Sequence, residues 1–238
     1  MLNKLNNMKN YLIIGGSSGI GKALTEQMAL EGEVYATFNK NETESSIASV
    51  SYYHLDVTAD ELEFEDLPDE IHGVAYCPGS INLMPFKRIK PAQFAEDFEL
   101  QVNGAVKVIQ KVLPNLKAAG NSSILFFSTV AVQNGFNFHA QVAASKGAIE
   151  GLTRSLAAEF APTIRVNAIA PSLTDTPLAG KLLSTDEKKE ANAQRHPLKT
   201  IGNPENIAQL GAFLLSEKSA WITGQIIHAD GGMSSVKG

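Results

Sequence analysis

A chain of 238 residues is long enough for one α/β unit with a large core, and 44% hydrophobic with 19% charged residues is the make-up of an ordinary folded globule. A count of 20 Lys and Arg against 25 Asp and Glu leaves a net charge of −5, which argues against nucleic acid and against an anionic membrane surface as partners. A lone cysteine, Cys77, excludes an internal disulfide, and residues 1–10 are polar with no apolar run of spanning length later on, so the expectation is a cytoplasmic protein that is neither secreted nor membrane-bound.

Residues 1–9 read as a flexible N-terminal extension. Tyr11, Leu12, Ile13 and Ile14 form a short β-prone run, and residues 22–30 place Ala23, Leu24, Met28 and Leu30 at helical spacing. Between them, Gly15-Gly16-Ser17-Ser18-Gly19-Ile20-Gly21 turns a strand directly into a helix, which aims free N–H groups and the positive dipole end at whatever lies above the strand. That is an anion site suited to a dinucleotide pyrophosphate. Gly15 permits the sharp turn, Gly19 the close approach of phosphate, and Gly21 the close packing of helix on strand. A plain surface turn is the alternative reading of the same glycines.

A second strand at 33–38 runs out into Asn39 and Lys40, with no acidic residue before Glu42. A carboxylate there would hold a ribose 2′-hydroxyl, whereas an amide and an ammonium welcome a 2′-phosphate, so the expectation leans to NADP and leaves NAD open. Lys40 as a solvated loop charge is the other reading.

The third strand, 50–55, ends in Asp56 and Val57, and an acidic stretch with an abbreviated helix leads to a fourth strand at 71–76 that closes in Cys77-Pro78-Gly79. Residues 91–120 carry one long amphipathic pattern with Asn103 in its interior, preceded by a turn or short helix. The apolar strand 124–127 ends in Ser128 and Thr129, a loop runs to about residue 137, and a helix follows from near Gln141 to Phe160 with Lys146 in its first half. A sixth strand at 164–170 is stopped by Pro171. The polar stretch 172–201 has the make-up of a mobile lid, and after a helix starting at Pro204 the last strand, 225–229, ends in Asp230-Gly231-Gly232. Strands alternating with helices predict the α/β class: a three-layer, Rossmann-type, doubly wound parallel sheet of about seven strands in a single dinucleotide-binding domain, 1–238, with its ligand at the C-terminal strand ends.

The order of these signposts, from the glycine turn through Asp56, Gly79, Asn103, Ser145-Lys146, Arg165-Val166-Asn167 and Thr176 to Ile222-Thr223-Gly224-Gln225 and Asp230-Gly231-Gly232, resembles the short-chain dehydrogenase/reductase family, in particular its 3-oxoacyl-acyl-carrier-protein reductases, along almost the whole chain. The resemblance implies that Ser17, Ser18 and Ile20 join the glycines at the cofactor, that Asp56 accepts from the adenine amino group with Val57 nearby, and that Gly79 passes the adenosine ribose. It further implies that Lys146 holds the nicotinamide ribose hydroxyls, that Pro171, Thr174 and Thr176 line the nicotinamide end, and that Asn103 holds a water relaying protons to Lys146.

The reaction so implied is hydride transfer to a carbonyl with a tyrosine as proton donor. Thr129 falls where the family keeps the hydroxyl that polarises the carbonyl, with Ser128 beside it. Departures are Ile14 for threonine, Tyr76-Cys77-Pro78-Gly79 at the end of strand four, Pro171-Ser172, and above all Val142 in place of the tyrosine four residues before Lys146. Valine can neither give nor take a proton, and losing a positioned acid typically costs about 10² to 10⁴ in rate. His139, seven residues before Lys146, falls where wider-spaced enoyl-thioester reductases of the same superfold carry their tyrosine, and imidazole can act as an acid at neutral pH. A solvated loop histidine is the competing reading; Tyr76 and Cys77 read more simply as packing residues.

Two functions stand at this point. One is an NAD(P)(H)-dependent oxidoreductase acting on a carbonyl or conjugated enoyl group; the other is a catalytically impaired NADP-binding sensor or subunit. The substrate is a small molecule, and Met84, Phe86, Phe136 and Phe138 suit either an acyl-like ligand or core and oligomer contacts. The resemblance also implies a homotetramer or homodimer, and nothing in the sequence suggests a metal.

Overall fold

The computed structural model describes residues 8–40, 42–64 and 66–236. Most of the expected N-terminal extension, residues 1–7, lies outside them, but Lys9 does not belong to an extension: it opens the first strand and pairs with Gly32. Seven strands, β1 (Lys9–Ile14), β2 (Gly32–Phe38), β3 (Val50–His54), β4 (Gly73–Tyr76), β5 (Ser122–Phe127), β6 (Ile164–Pro171) and β7 (Ile226–Ala229), form one sheet in the order β3-β2-β1-β4-β5-β6-β7. Every pairing is parallel.

Such a sheet must be covered on both faces, and side chains alternate accordingly. From β1, β4 and β5, the residues Leu12, Ile14, Val74, Tyr76, Ile124 and Phe126 pack on one side with Ala105, Val108, Val112 and Leu116 of α3 (Gly104–Ala118) and Ile149 of α5 (Ala140–Phe160). Tyr11, Ile13, Ala75, Leu125 and Phe127 pack on the other with Leu24 and Met28 of α1 (Gly19–Met28) and Ile207, Ala208 and Leu214 of α7 (Pro204–Leu215). β5 is buried along its whole length, as a central strand with no solvent face has to be.

The predicted long helix over 91–120 is broken. α2 (Pro91–Phe98) passes through a π-helical turn, Glu99–Asn103, into α3. A π turn adds a residue to the winding and rotates the downstream helix relative to an unbroken one. The Tyr76 hydroxyl donates to the Leu100 carbonyl inside that turn at 2.6 Å, supplying a partner within the disrupted helical ladder. The predicted loop after β5 contains a short helix, α4 (Val130–Asn134), with Thr129 accepting at its N-terminus from the Ala131 N–H.

At the far edge of the sheet, the residues Arg165-Val166-Asn167 and Ile222-Thr223-Gly224-Gln225 bind each other. Asn167 donates to the Ile222 carbonyl and accepts from the Gln225 N–H, while Thr223 accepts from the Val166 N–H. The Arg165 guanidinium donates to the carbonyls of Leu214, in the last turn of α7, and Ser216, which caps it. These motif residues fasten β6 to the approach to β7 and to the end of α7.

Candidate active site

Strand order reverses between β1 and β4, and the loops leaving their C-terminal ends splay apart there, which opens the crevice where doubly wound sheets take ligands. The glycine turn forms one wall. Gly15 has φ +73° and Gly19 φ +52°, both in the left-handed region that favours glycine, and a Cβ on Gly21 would run into the Gly15 carbonyl. The Gly15 N–H donates to Thr37 Oγ1 at 3.0 Å, and the Gly16 carbonyl accepts from Tyr52 at 3.0 Å, so the turn is tied to β2 and β3. Ser18 caps α1 without a side-chain bond, and no acidic side chain stands in the helix's first turn. The N–H groups there are left for an anion from outside.

Ser17, Ser18, Gly19, Ile20, Gly21, Asn39, Lys40, Val57, Gly79 and Thr176 line this half of the crevice, and Lys40 has no ion pair among the described residues. Asp56 does not line it; it lies beside the end of β3, where its Oδ1 accepts from the Thr58 N–H at 2.9 Å and the Thr58 hydroxyl at 2.7 Å, bonds that hold the carboxyl below its usual range. Thr37, buried and lining the crevice, is a contact that the sequence reading missed.

The second half of the crevice continues past Ile20, Cys77, Gly79, Thr176 and Leu178 into a mostly apolar pocket. Ser128, Thr129, His139, Val142, Lys146, Pro171 and Thr174 all line it. Val142 is 6% exposed and presents only methyl groups to the pocket wall. Ser128 donates to Glu150 at 2.7 Å. His139 Nδ1 is 2.8 Å from the Asn137 carbonyl, which requires the proton on that nitrogen, and its ring packs on Phe136, over which the Arg195 guanidinium lies. Phe138, just before His139, has φ +70°, a conformation that costs a bulky L-residue roughly 1 kcal/mol or more. Of the four hydrophobics singled out for the substrate, Phe136 lines the pocket; Phe86 and Phe138 are exposed, with Phe86 against Phe94.

Asn103 is not in the pocket. Its side chain is exposed and donates to Glu99, one turn earlier on the outer face, at 2.6 Å. Gln101 occupies the inward position: fully buried, it lines the pocket and donates through Nε2 to Asp97, while its Oε1 has no partner among the described residues. A Cβ on Gly79 would lie 3.5 Å from that oxygen and 3.7 Å from Lys146 Nζ. Burial pushes the Lys146 amine down to about 8, against the pull of Asp97, which raises it.

The stretch 172–201 covers the pocket. It carries a 3₁₀ turn, Pro177–Ala179, and a helix, α6 (Asp186–Ala193), and it is anchored by a Lys189–Asp175 ion pair at 2.9 Å and by Ser172 bonded to His196 Nε2 at 2.8 Å.

Fold and crevice together define a doubly wound α/β domain shaped to seat a dinucleotide. A family model described as enoyl-(acyl carrier protein) reductase matches residues 15–234. The chain is 30% identical over 242 residues to a tropinone reductase homolog of Arabidopsis thaliana, covering 94% of this chain and 92% of that protein, and 31% identical to a 3-oxoacyl-acyl-carrier-protein reductase of Thermotoga maritima, covering 94% and 97%. Among solved structures, a short chain dehydrogenase family protein from Francisella tularensis superimposes with a TM-score of 0.85 at 27% identity over 97% of this chain and 100% of that one. ElxO, solved with NADP bound, gives 0.86 at 25% identity over 97% and 100%. The chain belongs to the short-chain dehydrogenase/reductase family, whose members are NAD(P)-dependent oxidoreductases.

The residues present fit such a cofactor. A glycine cradle, an uncapped helix start, an unpaired Lys40 and the orphaned Gln101 oxygen next to Lys146 supply donors and acceptors along the whole crevice.

Proposed function

We propose that the protein uses NADPH, in preference to NADH, to reduce a carbonyl or conjugated enoyl group of a small, acyl-like substrate, with His139 as the proton donor. The observation that carries this reading is that His139 and Lys146 line the same apolar pocket as Val142, so that an ionisable ring stands where the aliphatic side chain offers no proton. Asn39 and Lys40 at the far end of the crevice support the 2′-phosphate, and the NADP held by the relative ElxO is in keeping with it.

When bound, the reduced nicotinamide supplies the hydride. Lys146 would hold the ribose hydroxyls, and Gly79, having no Cβ, keeps the approach between Lys146 and Gln101 open. Pro171, Thr174 and Thr176 would bound the nicotinamide end, while Asp56 is left to the adenine through its unbonded Oδ2. Thr129, whose Oγ1 accepts from the Ala131 N–H and keeps its own proton to give, would polarise the substrate oxygen, and the alkoxide that forms needs a proton. His139 as imidazolium would keep its Nδ1–H on the Asn137 carbonyl and give the Nε2 proton to the substrate. Apolar residues such as Leu83, Val130, Leu173, Leu182 and Met233 suit an alkyl or acyl body.

The test is NADPH oxidation with a panel of ketones, aldehydes and enoyl thioesters. His139→Ala is expected to lower kcat by about 10² or more with little change in NADPH affinity; no turnover by the unmodified protein on any member of the panel would overturn the reading. A second reading, a cofactor-binding sensor or subunit without catalysis, is favoured by the buried Val142 itself. It predicts NADPH binding without turnover, with activity appearing only in Val142→Tyr. The homo-oligomer and the cytoplasmic location expected from the sequence belong to this proposal.

A further inference from the structure

Asp97, in the last turn of α2, is 5% exposed. Its carboxylate accepts from the Ser80 hydroxyl, from Gln101 Nε2 at 2.8 Å and from the Ser145 hydroxyl at 2.6 Å, so three elements converge on it: the segment after β4, the π turn and α5. A buried carboxylate is costly even with three neutral donors, and it is retained at low cost only where a cation shares its surroundings. That cation is Lys146, the residue after Ser145, whose Nζ has no hydrogen-bond partner among the described residues. The Gln101 amide lies between the two. Its Nε2 is on Asp97, and its orphaned Oε1 and the Lys146 Nζ flank the point where a Cβ of Gly79 would stand.

We propose that Asp97, held in place by Ser80, Gln101 and Ser145, is a positioning residue whose charge keeps Lys146 protonated and presented to the crevice, in a pocket whose residue 142 offers no polar atom to do so. Its consequence for cofactor binding rests on the reductase reading above; the ionisation itself does not.

Asp97 acts on Lys146 from α2. Cys77 acts from the end of β4, but burial pushes that thiol up to about 12, so it is neutral where the amine titrates. On α5, Glu150 is taken by Ser128 and Arg154, and His139 precedes the helix with its Nδ1 on the Asn137 carbonyl. Asp97 is therefore the charge whose removal should move Lys146. Burial opposes the ammonium and Asp97 favours it, so without Asp97 the amine loses its proton at a lower pH.

The experiment is pH-dependent acetylation of Lys146 by acetic anhydride, read by peptide mass spectrometry on the full chain without cofactor. Only the free amine reacts, so the half-labelling pH reports its ionisation. The unmodified protein should show a midpoint near 8, and Asp97→Asn a midpoint lower by about one unit or more. Ser145→Ala, which keeps the charge and drops one donor, should leave the midpoint near that of the unmodified protein. An unchanged midpoint in a folded Asp97→Asn overturns the proposal. Should that variant fail to fold, Asp97→Leu combined with Ser80→Ala and Ser145→Ala removes donors together with acceptor, and the same drop is required of it.

NADPH titrations carry the consequence: affinity should fall at lower pH in Asp97→Asn than in the unmodified protein, and Lys146→Arg in the Asp97→Asn background should remove that difference, since guanidinium stays charged. Absence of NADPH binding at every pH would sink the reductase reading, whereas the labelling midpoint would still decide the role of Asp97.

Discussion

At the scale of single residues, the site is an arrangement of charges held where water is scarce. Lys146 is 9% exposed, and its amine is pushed from the usual 10.5 down to about 8. Between those two values the unfolded chain binds more protons than the folded one, so this residue's contribution makes stability rise with pH from about 8 to 10.5. At neutral pH the same gap means that the buried ammonium costs folding about 3 kcal/mol. Lys146→Met should therefore stabilise the protein at pH 7 by about 2 to 3 kcal/mol, less any packing loss, while abolishing function. Urea titrations at neutral and alkaline pH check it: the variant should lack the rise that the unmodified protein shows. A Lys146→Met protein no more stable at neutral pH would mean that the amine is not penalised.

At the scale of elements, helical facing through the π turn at Glu99–Asn103 sets which side chain reaches the pocket: Gln101 lies on the buried face with Asp97 and Ala105, and Asn103 on the outer face with Glu99. The family resemblance put Asn103 among the functional positions, but its side chain lies at the surface and Gln101 is the buried one. The one signal in the sequence that bears on this is Tyr76, whose hydroxyl is bonded within the turn at Leu100 and whose ring fills the space beside Gly104. Burial, with the nearby Glu99, pushes that phenol above its usual range, so it stays a donor at any ordinary pH. Tyr76→Phe leaves a buried carbonyl short of its partner and should cost about 1 to 3 kcal/mol of stability. The Lys146 labelling midpoint should change with it, because Gln101 is carried on the same turn. Thermal and chemical denaturation give the first number, and a variant as stable as the unmodified protein would show that the turn holds itself.

At the scale of the whole molecule, the sheet brings together pieces of chain far apart in sequence. The crevice needs the glycine turn from the first 21 residues, Gly79 after β4, Lys146 from α5 and Thr176 from the covering segment. A ligand that spans all of these ties the halves together, so NADPH at 100 times its Kd should stabilise the fold by about 2.7 kcal/mol and raise Tm measurably. Differential scanning fluorimetry with NADPH and NADH side by side also reads the preference: a larger shift with NADH at equal concentration would reverse the NADP assignment. No helix among the described residues is long and apolar enough to cross a membrane. Trp221 stands 99% exposed in the single chain.

The sequence by itself determined what depends on local pattern. Apolar runs, glycines at fixed offsets and helical spacing are consequences of backbone geometry, so seven parallel strands, the glycine turn and crevice-lining residues from Ser17 to Thr176 could be read from the chain. Only the tertiary structure decided what depends on rotation and on distant partners. Packing put Gln101 in the pocket and Asn103 on the surface, and β3 set Asp56 beside the crevice, outside its lining. Asp97 became important through hydroxyls 17 residues before it and 48 after it. Side-chain direction and the polarity of a buried site are set by packing between elements, and no local periodicity records them.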